Sequence, residues 1–179
     1  VVVAPDFAET GDIFLTYSEP GSGGAGTTAA RARLVREGDA VRLADVTVIA
    51  RMEKKTRGGR HFGSRVVPAP DGTVFVTTGD RGEAERAQDP FDHSGAVLRV
   101  TRNGGIPADN PFADGAKALP EMWSTGHRNI QGAAIEPDTG LLWTVEHGAR
   151  GGDEINRPEA GKNHGWPTIS YGRHYSGAK

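Results

Sequence analysis

A strand–turn–strand pattern occurs three times in this sequence and restricts the possible folds more than any other feature. In each copy a short apolar strand enters a Pro-Asp turn and leaves into a strand of β-branched and aromatic residues. The spacing is 65 residues from Asp6 to Asp71 and 67 residues from Asp71 to Asp138. A long, constant period of hairpins predicts an all-β array, and a β-propeller fits it best.

Further predicted strands complete about four per unit, at 30–35, 41–50, 96–101 and 121–124. The units then cover about 1–63, 64–130 and 131–179. Only 83–88 is expected to form a turn of helix. Long loops hold the remaining residues, at 19–28, 52–63, 79–95 and 147–164. We expect the glycine-rich first loop to be a plain flexible connection and the other three, which hold the charge and most histidines, to be functional or mobile.

Composition excludes several classes of protein. A formal charge of −2, from 21 basic and 23 acidic residues, gives no basic field for nucleic acid. The absence of cysteine excludes thiol catalysis, disulfides and Cys-zinc sites. No apolar run approaches the roughly 20 residues of a membrane span.

Three units do not close a propeller ring, so we expect either a missing C-terminal half or a homodimer that pairs the open edges.

The segment GRHFGSR (59–65) places His61 between glycines and arginines. Glycines permit close approach of a ligand, and adjacent arginines favour the neutral imidazole that accepts a proton. His61 is therefore either a catalytic base or a histidine bonded inside a turn. The nearby Gly79-Asp80-Arg81-Gly82 is most simply a turn with an internal ion pair.

Two later segments also gather polar groups. Arg128 and Asn129 offer a forked cation beside an amide, which suits a flat ligand with carboxylates or carbonyls. Alternatively, Arg128 bonds a carboxylate or stacks on Trp123. In 146–154 (EHGARGGDE), carboxylates and exposed backbone carbonyls alternate, which favours Ca²⁺ unless the segment is a solvated acidic turn.

Taken together, the motifs resemble the soluble quinoprotein sugar dehydrogenases, which depend on pyrroloquinoline quinone (PQQ). The matching segments, in collinear order, are APDF, GRHFGSR, PDGTVFVTTGDRG, GAVLRVTRNGGIPADNPF, GHRNIQG, EHGARGGDEIN and GKNHGWP. The resemblance implies a six-bladed propeller with PQQ and Ca²⁺ on its upper face, of which about three four-stranded blades are present here.

By position, the resemblance assigns a role to six residues. His61 matches the base that takes the proton of the sugar C1 hydroxyl, and Arg128 and Asn129 match residues that contact PQQ. Gly148 and Ala149 match the pair whose carbonyls hold Ca²⁺, and Glu154 matches a further carboxylate of the calcium loop.

The implied function is oxidation of aldose sugars at C1 with hydride transfer to PQQ, followed by an external electron acceptor, in the periplasm or outside the cell. Ile130 and Ala149 stand where the family usually has proline, and Arg60 replaces an acidic residue of the glucose-oxidising branch, which favours the broader aldose branch. The alternatives are a non-catalytic propeller fragment that serves binding or assembly, and a calcium-dependent lactonase.

Overall fold

The computed structural model describes residues 1–173 and 175–176, and nearly all regular structure within them is β. These residues form three sheets, each built mainly of antiparallel neighbours. The first sheet holds β1 (Val2–Val3), β2 (Asp12–Gly21), β3 (Gly24–Glu37) and β4 (Ala40–Arg51). The second holds β5 (Gly63–Pro68), β6 (Thr73–Thr78), β7 (Val97–Thr101) and β8 (Met122–Thr125). The third holds β9 (Ile130–Ile135), β10 (Leu142–Glu146) and β11 (Glu154–Asn156).

The prediction of an all-β chain with about three blade-like sheets is confirmed. The division into units of about 1–63, 64–130 and 131–179 stays a prediction. One strand crosses these limits, because β12 (Lys162–Asn163) pairs in parallel with β8 of the second sheet.

The second sheet lies between the other two. Along β6, Val74 and Val76 belong to a core cluster with Phe14 of the first sheet, whereas Phe75 belongs to a cluster with Ile130 of the third. Successive strand residues point to opposite faces, so β6 is buried on both sides and every one of its residues is buried. This packing explains its continuous run of apolar and threonine residues.

The glycine-rich loop at 19–28 is not a flexible connection, and that prediction was wrong. Strands β2 and β3 continue through it, with Gly21 opposite Gly24, so only Ser22 and Gly23 form the turn. A Cβ on Gly24 would collide with the backbone of Thr56, which pairs with the neighbouring Ala25. The glycine therefore permits close backbone approach rather than motion.

Helix is confined to short pieces in the described residues. The helical turn expected at 83–88 is a 3-10 helix at Ala84–Gln88, and a one-turn helix α1, Phe7–Thr10, follows the first Pro-Asp turn. Helix α1 was missed because four residues are too few to show a 3.6-residue period. No helix in the described part of the chain has the length and apolar character needed to cross a membrane.

A chain of buried polar groups connects the second and third sheets. Ser124 Oγ lies 2.9 Å from His127 Nε2, and His127 Nδ1 lies 2.9 Å from Glu146 Oε1. The Glu146 carboxylate also accepts hydrogen bonds from the backbone N of Arg128, at 2.6 Å, and from Asn156 Nδ2, at 2.8 Å. His127 is fully buried and Glu146 is 4% exposed, so this carboxylate connects the ends of β8, β10 and β11 in the interior.

The contacts of Glu146 and His164 explain the pKa values of their side chains. Burial by itself raises the pKa of Glu146, but the bonds from His127, Arg128 and Asn156 outweigh it and hold that pKa below its ordinary value of 4.5. The ring of His164 stacks on His127 with centroids 4.4 Å apart. Burial, with the neighbouring His127, lowers the pKa of His164 to about 4, so His164 is neutral at pH 7.

We expect Glu146→Gln to destabilise the protein by roughly 1.5–3 kcal/mol at pH 7, the usual contribution of hydrogen bonds to a charged group, because the buried carboxylate accepts several of them. The carboxyl group of Glu146 has a lower pKa in the folded protein than in the unfolded chain. It therefore stabilises the folded state fully at a pH above the unfolded pKa, and this contribution is lost as the pH falls through the folded pKa. The difference between wild type and variant should therefore narrow as the pH falls below about 4.5.

Urea unfolding across pH 7 to 3.5 measures this difference. The exposed Glu9→Gln is the matched control and should change stability little at any pH. A Glu146→Gln penalty that is absent at pH 7, or that does not shrink in acid, would contradict the assignment.

Candidate active site

The loops that carry the candidate site residues meet at one end of the sheets through backbone hydrogen bonds. The N–H of Asp80 donates to the carbonyl of Arg128 at 2.8 Å, and the N–H of Arg81 donates to the carbonyl of His61 at 3.3 Å. The N–H of His147 donates to the carbonyl of Asn129 at 3.1 Å. Segments far apart in the sequence thus become neighbours.

His61 lies in the loop between β4 and β5 with a positive φ of 54°. Its carbonyl packs against Gly79 so closely that a Cβ on that glycine would collide with it. The absence of a side chain at 79 therefore lets the His61 loop lie directly over the end of β6.

Asp80 determines the orientation of the His61 ring. His61 Nδ1 lies 2.6 Å from Asp80 Oδ1, which also accepts a bond from the backbone N of Gly82 at 2.7 Å. Trp166 Nε1 donates to Asp80 Oδ2 at 2.8 Å. Burial raises the pKa of Asp80, yet its bonds from His61, Gly82 and Trp166 hold that pKa below its ordinary value, so the carboxylate is ionised at neutral pH.

The predicted ion pair within the Asp80-Arg81 turn was wrong. Asp80 bonds His61 and Trp166 instead, and the guanidinium of Arg81 lies 3.4 Å from the centroid of the Phe62 ring. The local sequence pattern could not identify these partners, because they are 19 and 86 residues away from Asp80. The only sequence signal for Trp166 was its place in GKNHGWP.

Arg128 is 6% exposed, and its guanidinium forms no ion pair with a carboxylate and no stacking contact with Trp123 among the described residues, contrary to both non-ligand alternatives. Its Nη1 donates to the carbonyl of His147 at 3.0 Å, and its guanidinium lies 5.3 Å from the ring centroid of Trp166. Its buried Nε has no hydrogen-bond partner in the described structure. Trp123 lies near Arg99 instead, at 5.2 Å.

Asn129 is 6% exposed, and its amide supports the His61 loop. The Oδ1 atom of Asn129 accepts a bond from the backbone N of Gly63 at 3.1 Å and one from Gln131 Nε2 at 3.3 Å. Asn129 thus positions the residue two places after His61 as well as lying beside Arg128.

The segment after β10 only partly matches the expected set of cation ligands. Glu146 is committed to the buried chain with His127, so it is not a solvent-facing ligand. The N–H of Gly148 donates to Asp153 Oδ1 at 2.8 Å, while Glu154, on β11, accepts a bond from Asn156 at 3.0 Å. No group of three or more histidine, aspartate or glutamate side chains is gathered for a metal in residues 1–173 and 175–176.

One cavity, of about 150 Å³, brings several of these residues together. His61, Asp80, Arg128, Ala149 and Trp166 all line it. An imidazole bonded to a carboxylate, a buried cation, an aromatic ring and the segment of Ala149 therefore share one space. Such a set suits binding of a flat polar ligand beside a proton acceptor.

The chain is similar to known sugar dehydrogenases along its whole length. The family model described as Glucose / Sorbosone dehydrogenase matches residues 1–179. The aldose sugar dehydrogenase YliI of Escherichia coli (strain K12) is 44% identical over 180 residues, which are 100% of this chain and 48% of that protein. The chain thus spans about half the length of the curated relatives it matches.

Solved structures show the same fold. The crystal structure of the soluble aldose sugar dehydrogenase from Escherichia coli in the apo-form matches with a TM-score of 0.93 and 44% identity, over 99% of this chain and 51% of that chain. The PQQ-bound form of aldose sugar dehydrogenase from Streptomyces coelicolor matches with a TM-score of 0.77 and 26% identity, over 98% of this chain and 49% of that chain. Because the family model matches the whole chain and these relatives are similar to it, this protein belongs to the glucose/sorbosone dehydrogenase family.

Proposed function

We propose that this chain contributes the proton acceptor and part of the cofactor site of a PQQ-dependent aldose dehydrogenase. The observation that carries the proposal is the His61–Asp80 pair, which lines one cavity together with Arg128. A PQQ-bound aldose sugar dehydrogenase among the similar structures supports the choice of cofactor.

His61 is the proposed general base. Its Nδ1 is bonded to an ionised carboxylate, so Nδ1 carries the proton and Nε2 holds the lone pair. In the proposed oxidation, Nε2 takes the proton of the sugar C1 hydroxyl while the C1–H bond breaks and its hydride leaves with two electrons, which gives the lactone. Asp80 fixes the ring and stabilises the imidazolium that forms.

The residues around the cavity fit a planar quinone that carries carboxylates. Arg128 is buried and its Nε has no partner in the described structure, which an anionic ligand would satisfy. Trp166 places a ring face near Arg128, and Asn129 follows Arg128 in the sequence. When bound, PQQ would supply the two-electron acceptor for the hydride.

A Ca²⁺ ion at Gly148, Ala149 and Glu154 stays part of the proposal. The carbonyl oxygens of Ala149 and Gly151 both lie beside Gly172, at a place that a Cβ on Gly172 would fill. Converging backbone carbonyls are ligands that Ca²⁺ accepts. The external electron acceptor, a periplasmic or secreted location, and a homodimer or a missing C-terminal half likewise remain predictions.

We expect His61→Ala in the complete protein to lower kcat for aldose oxidation by roughly 10²–10⁴, the usual contribution of a general base. PQQ affinity should stay close to wild type, because the ring of His61 acts on the sugar. Turnover with a dye acceptor, together with calorimetric titration of PQQ, separates the two effects. Wild-type kcat in His61→Ala would place the base elsewhere.

Asp80→Asn tests how the base is held. An amide can donate to Nδ1 and thereby move the proton of His61 to Nε2, so we expect kcat to fall by about 10²-fold or more. The variant keeps the shape of the side chain, so thermal unfolding should change less than activity. An Asp80→Asn enzyme with unchanged kcat would remove Asp80 from the mechanism.

Arg128→Ala should weaken PQQ binding by roughly tenfold or more, since it removes a charged donor from a buried anion site. Calorimetric titration of the complete protein with PQQ, with and without Ca²⁺, measures this loss. The exposed Arg36→Ala on β3 is the matched control and should bind PQQ as the wild type does. A wild-type protein that binds no PQQ in the presence of Ca²⁺ overturns the proposed function.

A further inference from the structure

A second, larger cavity adjoins the candidate active site. It has a volume of about 460 Å³ and is lined by residues 56–60 of the loop before β5 and residues 81–83 after β6. Arg60 and Gly82 line this cavity and the one that contains His61, so the two are neighbours. We call it the arginine cavity, after Arg57, Arg60 and Arg81 in its lining.

Arg81 is the unexplained group in this cavity. It is 2% exposed, and Nη2 donates to the carbonyl of Gly58 at 2.7 Å, while the guanidinium lies over the ring of Phe62. Its Nε and Nη1 are buried without a hydrogen-bond partner in the described structure. A guanidinium stays charged, so leaving two of its nitrogens unsatisfied is costly unless a ligand completes the bonding.

The charge around the cavity is positive. Arg57 and Arg60 are exposed and add two further cations. Glu83 is the acidic residue in the lining, and its carboxylate is engaged by Arg86 Nη1 at 3.2 Å. Between the two exposed arginines, Gly58 and Gly59 have open space where side chains would stand. The cavity thus has three forked cations and room for a group between them.

We propose that the arginine cavity binds an oxyanion, a phosphate ester or a carboxylate, carried by the aldose whose C1 is oxidised at His61. Forked guanidinium groups bind both oxyanions in bidentate fashion, which gives specificity as well as affinity. The shared lining by Arg60 and Gly82 places the anion site next to the proton acceptor. This inference rests on the proposed function, because it names the substrate class of the same site.

The test compares D-glucose 6-phosphate, D-glucuronate and D-glucose as substrates of the complete protein, with inorganic phosphate titrated separately by calorimetry. An acidic sugar should have a kcat/KM at least roughly tenfold above that of glucose, mainly through KM, because hydrogen bonds to charged groups contribute free energies of that size. A kcat/KM that is raised for D-glucose 6-phosphate indicates that the cavity binds a phosphate ester. A kcat/KM that is raised for D-glucuronate indicates that it binds a carboxylate.

Arg57→Glu is the decisive variant, because Arg57 is exposed and lines only the arginine cavity among the two described. We expect it to abolish the advantage of the acidic sugar and leave kcat/KM for glucose unchanged. Arg36→Glu makes the same charge change on β3 and is the control. It should alter neither the advantage of the acidic sugar nor the kcat/KM for glucose. Arg81→Gln should also lose the advantage, and its thermal unfolding shows whether the buried site still folds.

Each remaining outcome decides the proposal. Equal kcat/KM for acidic and neutral sugars, with active enzyme, overturns it and leaves the proposed function intact. Phosphate binding that Arg57→Glu abolishes, without any gain for acidic sugars, overturns the substrate assignment, since the anion is then a free ion. If no sugar is oxidised, the proposed function fails, and absence of phosphate binding in the wild type would overturn the anion site as well.

Discussion

The carboxylate of Asp80 is bonded at once to His61, to Trp166 and to the backbone of Gly82, and the geometry of the candidate active site depends on it. Its own N–H also donates to the carbonyl of Arg128. One buried residue at the end of β6 therefore fixes groups from three other segments. Several donors bond the carboxylate, so it stays ionised despite its burial, and it is then able to accept a hydrogen bond from Nδ1 of His61.

Glu146, in the third sheet, has a similar set of contacts. It too lies at the end of a strand, is buried, and bonds a histidine and a backbone N–H, here of Arg128. The two residues thus support the same loop: the backbone N–H of Asp80 donates to the carbonyl of Arg128, and the Glu146 carboxylate accepts a bond from the N–H of Arg128. The difference lies in access: His127 is fully buried, whereas His61 lines a cavity. The first pair is accordingly structural, and the second is the one for which we propose a role at a ligand.

Local sequence patterns predicted well wherever the deciding contacts were local. The Pro-Asp turns carry their own signal, and Asp71 does cap the following strand by accepting bonds from the N–H and hydroxyl of Thr73. The same reasoning failed at 19–28, where glycines that suggest flexibility instead allow β3 to approach Thr56. It failed again at Asp80, whose charge was assigned to its neighbour Arg81 although the folded chain supplies partners from other loops.

By itself the sequence determined the fold class and the candidate groups, because strand periodicity, turn residues and the motif set are properties of neighbouring residues. It placed His61, Arg128 and Asn129 in loops that the structure then joins, and Ala149 in a loop that reaches the same cavity. Only the tertiary structure decided which group each buried charged side chain contacts: Asp80 the ring of His61, Glu146 the ring of His127, and Arg81 the ring of Phe62. The physical reason is that the partner of a buried charge is chosen by which loops the packed sheets bring together, and sheet packing joins residues that lie tens of positions apart.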